Sequence, residues 1–230
     1  MTRKIHTITL NYYDKLLKKY GYSPGSVGWG HKKGKQSLRF EILCQIGNIN
    51  NSSILDVGCG FGDLFGYLKY KKSKIKYLGV DINSNLIEIG KKIYPKANLK
   101  VLDIGQTKSK QKFDWVFFSG ISSKGCTYPY IKRMMTKMFS LCKKGIAMNF
   151  VGGVIDFKSK DLFYSDVGKI YSITSTLSNR VTIRHDYAPY EFTVYVYKNT
   201  KKTSNNIFKD FLESSNFIFD DSLWHPNYNK

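Results

Sequence analysis

SSILDVGCGFGDLFGYL, residues 52–68, carries an apolar run, then Gly58, Gly60 and Gly62 at alternating positions, then a helical pattern. Glycines at such a junction let the backbone turn sharply and approach a bound nucleotide. N–H groups at the following helix start then face an electronegative group. A dinucleotide, a nucleoside triphosphate or an adenosine-bearing sulfonium each suits a loop of this kind. The dinucleotide fingerprint wants a third Gly or Ala where Asp63 stands, and no GK[ST] follows as a phosphate loop requires. Asp56 lies just ahead of the glycines. A carboxylate there repels a pyrophosphate and can seat an ammonium group.

Working outward, short apolar runs alternate with helical patterns. SILDVG reads as a buried strand and 63–72 as a helix. Strands follow over 76–82, 98–104, 113–121 and 144–152, with helices over 84–94 and 128–142 between them. Ser84 is placed to cap the first of these helices. This alternation implies a parallel sheet covered on both faces, with ligands bound beyond the carboxyl ends of the strands. Ahead of it lie a short helix over 11–20, a Gly/Pro/Ser-rich loop holding Trp29, and a helix over 37–47. After it come a helical stretch over 164–178, a hairpin of strands 180–187 and 191–198, and a last helix over 207–215. The stripe of Ile131, Met135, Met138 and Cys142 is helix core packing.

The 230 residues suit one domain with a core large enough to need no staples. No apolar run approaches the ~18 residues of a membrane span, and the N-terminus lacks a secretory pattern. The four cysteines, Cys44, Cys59, Cys126 and Cys142, have no metal-ligand spacing and read as buried thiols in a reducing, cytoplasmic setting. No metal site is expected. The formal net charge of +20 raises the idea of a polyanionic partner. Basic residues are nonetheless spread along the chain, and 5 of the 37 are Arg, the preferred fork for phosphate. That reads as a generally basic surface.

Two more acids complete the pattern. Asp81, ending the second strand, can accept hydrogen bonds from ribose hydroxyls. Asp103, ending the third, can meet an adenine amino group, with Ile82 and Ile104 as apolar surface for the ring. Ser119 and Gly120 end the fourth strand and leave room for a reactive group.

The order Asp56-x-Gly58-x-Gly60-x-Gly62, Asp81, Asp103 and FDWVFFSG resembles the class I S-adenosylmethionine-dependent methyltransferases over about residues 37–198. The resemblance implies an α/β, Rossmann-like doubly wound fold: a seven-stranded, mostly parallel sheet with a C-terminal antiparallel hairpin. It also implies that Asp56, Val57, Gly58, Cys59 and Gly60 hold the methionine portion, Asp81 the ribose and Asp103 the adenine. The flanks VGWGHKKGKQSLRFEIL and RHDYAPYEFTVYVYK look similar to small, mostly uncharacterised bacterial members. On that likeness Trp29 and Arg39 lie over the cofactor, and Arg39 pairs with the methionine carboxylate. The expected organisation is a single domain, with 1–50 as a helical cap, 51–198 as core and 199–230 as an extension.

Candidate bases are His31 and His185, with His6 and His225 nearer the termini. Tyr12, Tyr13, Asn149 and Tyr187 are candidate pocket residues. The stretch FFSGISSKG lacks the Asn/Asp-Pro-Pro-aromatic motif of many amino-methyltransferases, and no RNA-binding module is appended. A small-molecule acceptor, anionic in view of the basic surface, is the first expectation. An RNA methyltransferase and a non-catalytic cofactor-binding scaffold of the same fold are the alternatives.

Overall fold

The computed structural model describes residues 2–28, 34–123, 125–156 and 158–198, with 202, 207–209, 211 and 213 beyond these. Trp29, His31, His225 and much of the expected helix over 207–215 lie outside the described residues. The chain divides into two compact units, residues 1–198 and 199–230. The sheet and the site both belong to the first.

Seven strands form one sheet in the order β3-β2-β1-β4-β5-β7-β6. They are β1 Ser52–Val57, β2 Ile75–Asp81, β3 Leu99–Val101, β4 Phe113–Phe118, β5 Cys142–Val151, β6 Val181–Arg184 and β7 Glu191–Tyr197. The pairs among β1 to β5 are parallel, whereas β7 runs antiparallel to both β5 and β6. From β1 the chain builds outward to β3, then returns to β4 on the other side. The switch in strand order therefore falls between β1 and β4, where open α/β sheets bind ligands.

The central strands read as continuous apolar runs because both of their faces are buried. Leu55, Val57 and Val116 face one core with Ile131, Met135 and Met138 of α5 (Tyr128–Leu141) and Ile170 of α6 (Val167–Ser175). Ile54, Trp115 and Phe117 face the other. That core takes Phe40 and Leu43 of α2 (Lys35–Cys44), Leu64 and Leu68 of α3 (Asp63–Tyr70), and Ile87 of α4 (Ser84–Ile93). Of the expected helix stripe, Ile131, Met135 and Met138 are buried on α5, whereas Cys142 is buried as the first residue of β5.

Three differences from the sequence reading have physical causes. The first helix, α1, runs over Thr2–Tyr20, twice the expected length. Its start, TRKIHTITL, is rich in β-branched residues that lower helix propensity. Packing overrides that preference, with Ile5 7% exposed. Next, α4 is capped by Asn83, not Ser84: the Asn83 side chain accepts from Leu86 N at 3.2 Å. Finally, β3 is three residues long and β4 stops at Phe118. After Leu102 the chain leaves the ladder, and Asp103 closes a local turn by accepting from Gly105 N at 2.8 Å.

Candidate active site

At the carboxyl end of β1 the loop is pinned to the neighbouring strand. Gly58 N and Cys59 N both donate to the Val80 carbonyl, at 2.8 and 3.1 Å. Gly58 and Gly60 have φ of +66° and +56°, a region that side chains make costly. A Cβ on Gly58 would stand 2.9 Å from the Phe118 ring, and one on Gly60 3.1 Å from Val27. The glycines thus keep a cradle open that any side chain would fill. Asp81 fixes its shape: one carboxylate oxygen accepts from Gly60 N at 2.9 Å, the other from Asn83 N at 2.8 Å. Burial raises the Asp81 pKa, and the N–H groups of Asn83, Gly60 and Ile82 oppose that rise.

A cleft opens over this cradle. Asp56, Val57, Gly58, Cys59 and Gly60 line it from β1 and the loop, Asp81 from the end of β2 and Ile82 just beyond it. Asp103 and Ile104 line it beyond β3, and Ser119 and Gly120 beyond β4. The geometry brings together all of the expected cofactor-side residues except Trp29, which is outside the described residues, and Arg39. Asp56 is 3% exposed and accepts from the Tyr77 hydroxyl at 2.6 Å. Burial pushes its carboxyl up to about 7, against that hydrogen bond.

The cleft's charge is distinctive. Among the described residues lining it, Asp56, Asp63, Asp81 and Asp103 are acidic, and none is Lys or Arg. On a chain of net charge +20 this is a local reversal of sign. It suits a ligand carrying sulfonium and ammonium charges and opposes a pyrophosphate. The cradle, the acids and the apolar Ile82, Leu102, Ile104 and Met134 beside Asp103 fit S-adenosylmethionine.

Several lining residues escape sequence reasoning. His6, Thr9, Leu10 and Tyr13 come from α1, whose first half does not read as helix. His6 Nδ1 lies 3.5 Å from Asp103 Oδ2, which also accepts from Gln106 Nε2 at 2.6 Å. Asp63, met in the sequence only as a break in a fingerprint, accepts from Tyr22, Tyr94 and Gln36 at 2.9 to 3.0 Å. It ties the chain before α2 to α4 through the loop. Its place in the first turn of α3 also suits the helix dipole.

A second cavity adjoins the cleft, and Tyr13, Val27, Gly120 and Ser123 line both. Arg39 lines this second cavity and not the first. Its guanidinium forks the Glu191 carboxylate across α2 and β7, with the two side chains 7% and 13% exposed. Tyr12 and Asn149 line it as well. Asn149 joins a polar chain across the sheet: Ser119 Oγ donates to Asn149 Oδ1 at 2.9 Å, and Asn149 Nδ2 donates to Thr193 Oγ1 at 2.6 Å. The Tyr187 hydroxyl meets Thr193 Oγ1 at 2.9 Å, so Tyr187 supports this chain without lining either cavity. His185 is exposed on the hairpin, with Nε2 3.3 Å from the Pro189 carbonyl, and lines neither cavity.

Residues 54–145 match the methyltransferase domain family. A provisionally named methyltransferase of Mycobacterium tuberculosis is 26% identical over 158 residues, covering 64% of this chain and 93% of its own length. Another, from Invertebrate iridescent virus 6, is 31% identical over 98 residues, covering 41% of this chain and 37% of the viral protein. Among solved structures, magnesium protoporphyrin IX methyltransferase from Synechocystis, with bound S-adenosylhomocysteine, superposes with a TM-score of 0.60. It is 15% identical and covers 84% of this chain and 99% of its own. The DhpI complex with S-adenosylhomocysteine gives 0.62 at 12% identity, covering 83% and 95%. At such identities the structures speak for the fold alone. With the acidic cleft and the family match over residues 54–145, the fold resembles that of the class I S-adenosylmethionine-dependent methyltransferases, whose cofactor is S-adenosylmethionine.

Proposed function

We propose that the chain methylates a small-molecule acceptor held in the second cavity. The observation that carries this reading is the shared wall: Tyr13, Val27, Gly120 and Ser123 border both spaces, so a group in one can reach a group in the other. When bound, S-adenosylmethionine would supply a methyl group on a cationic sulfur for transfer to the acceptor's lone pair, with the carbon–sulfur electron pair left on sulfur. The chain's own contribution is alignment and exclusion of water. The acids Asp56, Asp81 and Asp103 grip from one side, while α1 closes from above with His6 and Tyr13.

Burial raises the Tyr13 hydroxyl pKa, with Tyr12 and then Asp81 adding to the rise. Tyr13 therefore stays protonated and serves as a hydrogen-bond partner, not as a base. Arg39, committed to Glu191, supports the acceptor side instead of the methionine carboxylate. A reducing, cytoplasmic setting suits the free thiols of Cys44, Cys59, Cys126 and Cys142. Among the described residues no helix is long and apolar enough to cross a membrane.

The test is to incubate the protein with methyl-labelled S-adenosylmethionine, a metabolite extract and total RNA together. Label is expected in the small-molecule fraction, dependent on intact protein. Label recovered in RNA instead would contradict the proposal.

A further inference from the structure

We infer that the methyl acceptor is a planar aromatic compound bearing at most one negative charge. This inference rests on the reading of the second cavity as the acceptor site. Aromatic side chains from four parts of the fold meet there: Tyr12 and Tyr13 from α1, Phe150 from β5, Tyr164 from the segment before α6 and Tyr190 from the segment before β7. Two of the hydroxyls are turned to local structure. Tyr190 donates to Asp156, and the Tyr164 hydroxyl accepts from Ser159 N at 2.7 Å. What these two offer a guest is therefore ring carbon. Tyr12 and Tyr13 stand edge to face with centroids 5.2 Å apart, the arrangement that extends to a third ring slotted beside them. Val27, Val151, Ile155 and Leu162 fill the intervals with aliphatic surface.

Charge narrows the class further. The charged residues among those described in the wall are Arg39, Glu191 and Lys35. Arg39 and Glu191 neutralise each other in a buried fork, which leaves Lys35, exposed at the start of α2. One exposed ammonium accommodates a single carboxylate or an ionised phenol. A dicarboxylate or a nucleic acid backbone would leave most of its charge uncompensated against ring carbon. The basic character of the whole surface does not extend into this cavity.

The test uses the full chain saturated with S-adenosylhomocysteine, probed by ligand-observed NMR and calorimetry. Indole, 2-naphthol and benzoate are the aromatic probes; cyclohexanecarboxylate, succinate and an unstructured RNA oligonucleotide are the comparators. The aromatic probes should bind and displace one another, at least about tenfold more tightly than the comparators. Leu162→Trp fills the cavity from a loop outside the sheet. It should weaken the aromatic probes about tenfold or more while S-adenosylhomocysteine affinity stays within about twofold. Tyr190→Ser removes one ring wall without filling space, and should weaken the same probes about fivefold even if Leu162→Trp unfolds. Cyclohexanecarboxylate or succinate binding as tightly as benzoate would overturn the inference. So would aromatic binding untouched by either substitution, or RNA displacing the aromatics. If S-adenosylhomocysteine itself fails to bind, the underlying reading of cleft and cavity falls; if it binds and the aromatic probes do not, only the aromatic assignment falls.

Discussion

Asp81 holds the glycine loop that it faces, and we propose that it holds the ligand as well. Its two oxygens accept from Gly60 N and Asn83 N, and Ile82 N–H also faces the carboxylate, which leaves one lone pair for the ribose we propose it meets. Asp81→Ala should therefore weaken S-adenosylhomocysteine binding by at least about 100-fold, since charge-assisted hydrogen bonds are worth ~1.5–3 kcal/mol each. Asp81→Asn keeps one acceptor and should fall between; fluorescence titration of the two variants checks the order. Asp56 gives a pH signature. Its folded carboxyl is raised to about 7 by burial, with Tyr77 donating in opposition, while the unfolded group titrates at ~3.9. The folded state thus holds the extra proton between those values, and stability from this group is lost as pH rises from about 4 through 7. A cationic cofactor favours the ionised form, so its affinity should climb up to about pH 7 and then level off. Asp56→Asn should flatten both profiles; a slope unchanged in the variant would remove Asp56 from the account.

At the scale of elements, α1 carries most of what was hidden. It closes the cleft with His6, Thr9, Leu10 and Tyr13, and Asp14 straps it down. Asp14 Oδ1 accepts from Asn83 Nδ2 at 2.8 Å and Asn85 Nδ2 at 3.1 Å. Asp14→Ala should speed S-adenosylhomocysteine release about five- to tenfold in stopped-flow experiments, the effect of losing ~1–1.5 kcal/mol of hydrogen bonding. Equal release rates would mean that α1 does not gate the cleft. In the sequence, the strands β1 to β5 were legible because buried parallel strands are short apolar runs between turns, and the acids at their ends follow in chain order. The first half of α1 was not legible, because Thr2, Ile5, Thr7, Ile8 and Thr9 speak for strand as readily as for helix. Asn83 as a cap lost to Ser84 for a similar reason: both are good caps one residue apart. The Arg39–Glu191 fork joins residues 152 positions apart, and no local pattern announces such a pairing.

On the scale of the whole molecule, a chain with 37 Lys and Arg against 17 Asp and Glu gathers four aspartates in the described lining of one cleft. The sheet makes this possible by ending β1, β2 and β3 at neighbouring points, so that acids far apart in sequence converge. Net charge was legible from composition, but this reversal of sign at the cleft needs the topology. It is also the property that separates a sulfonium cofactor from a dinucleotide. Calorimetric titration of the full chain with S-adenosylmethionine, and separately with NAD, at about pH 7.5 tests that separation most directly. One S-adenosylmethionine site is expected, with a dissociation constant in the micromolar range, about −8 kcal/mol, and no heat from NAD. Absence of binding at millimolar S-adenosylmethionine, or an equal response to NAD, would contradict this.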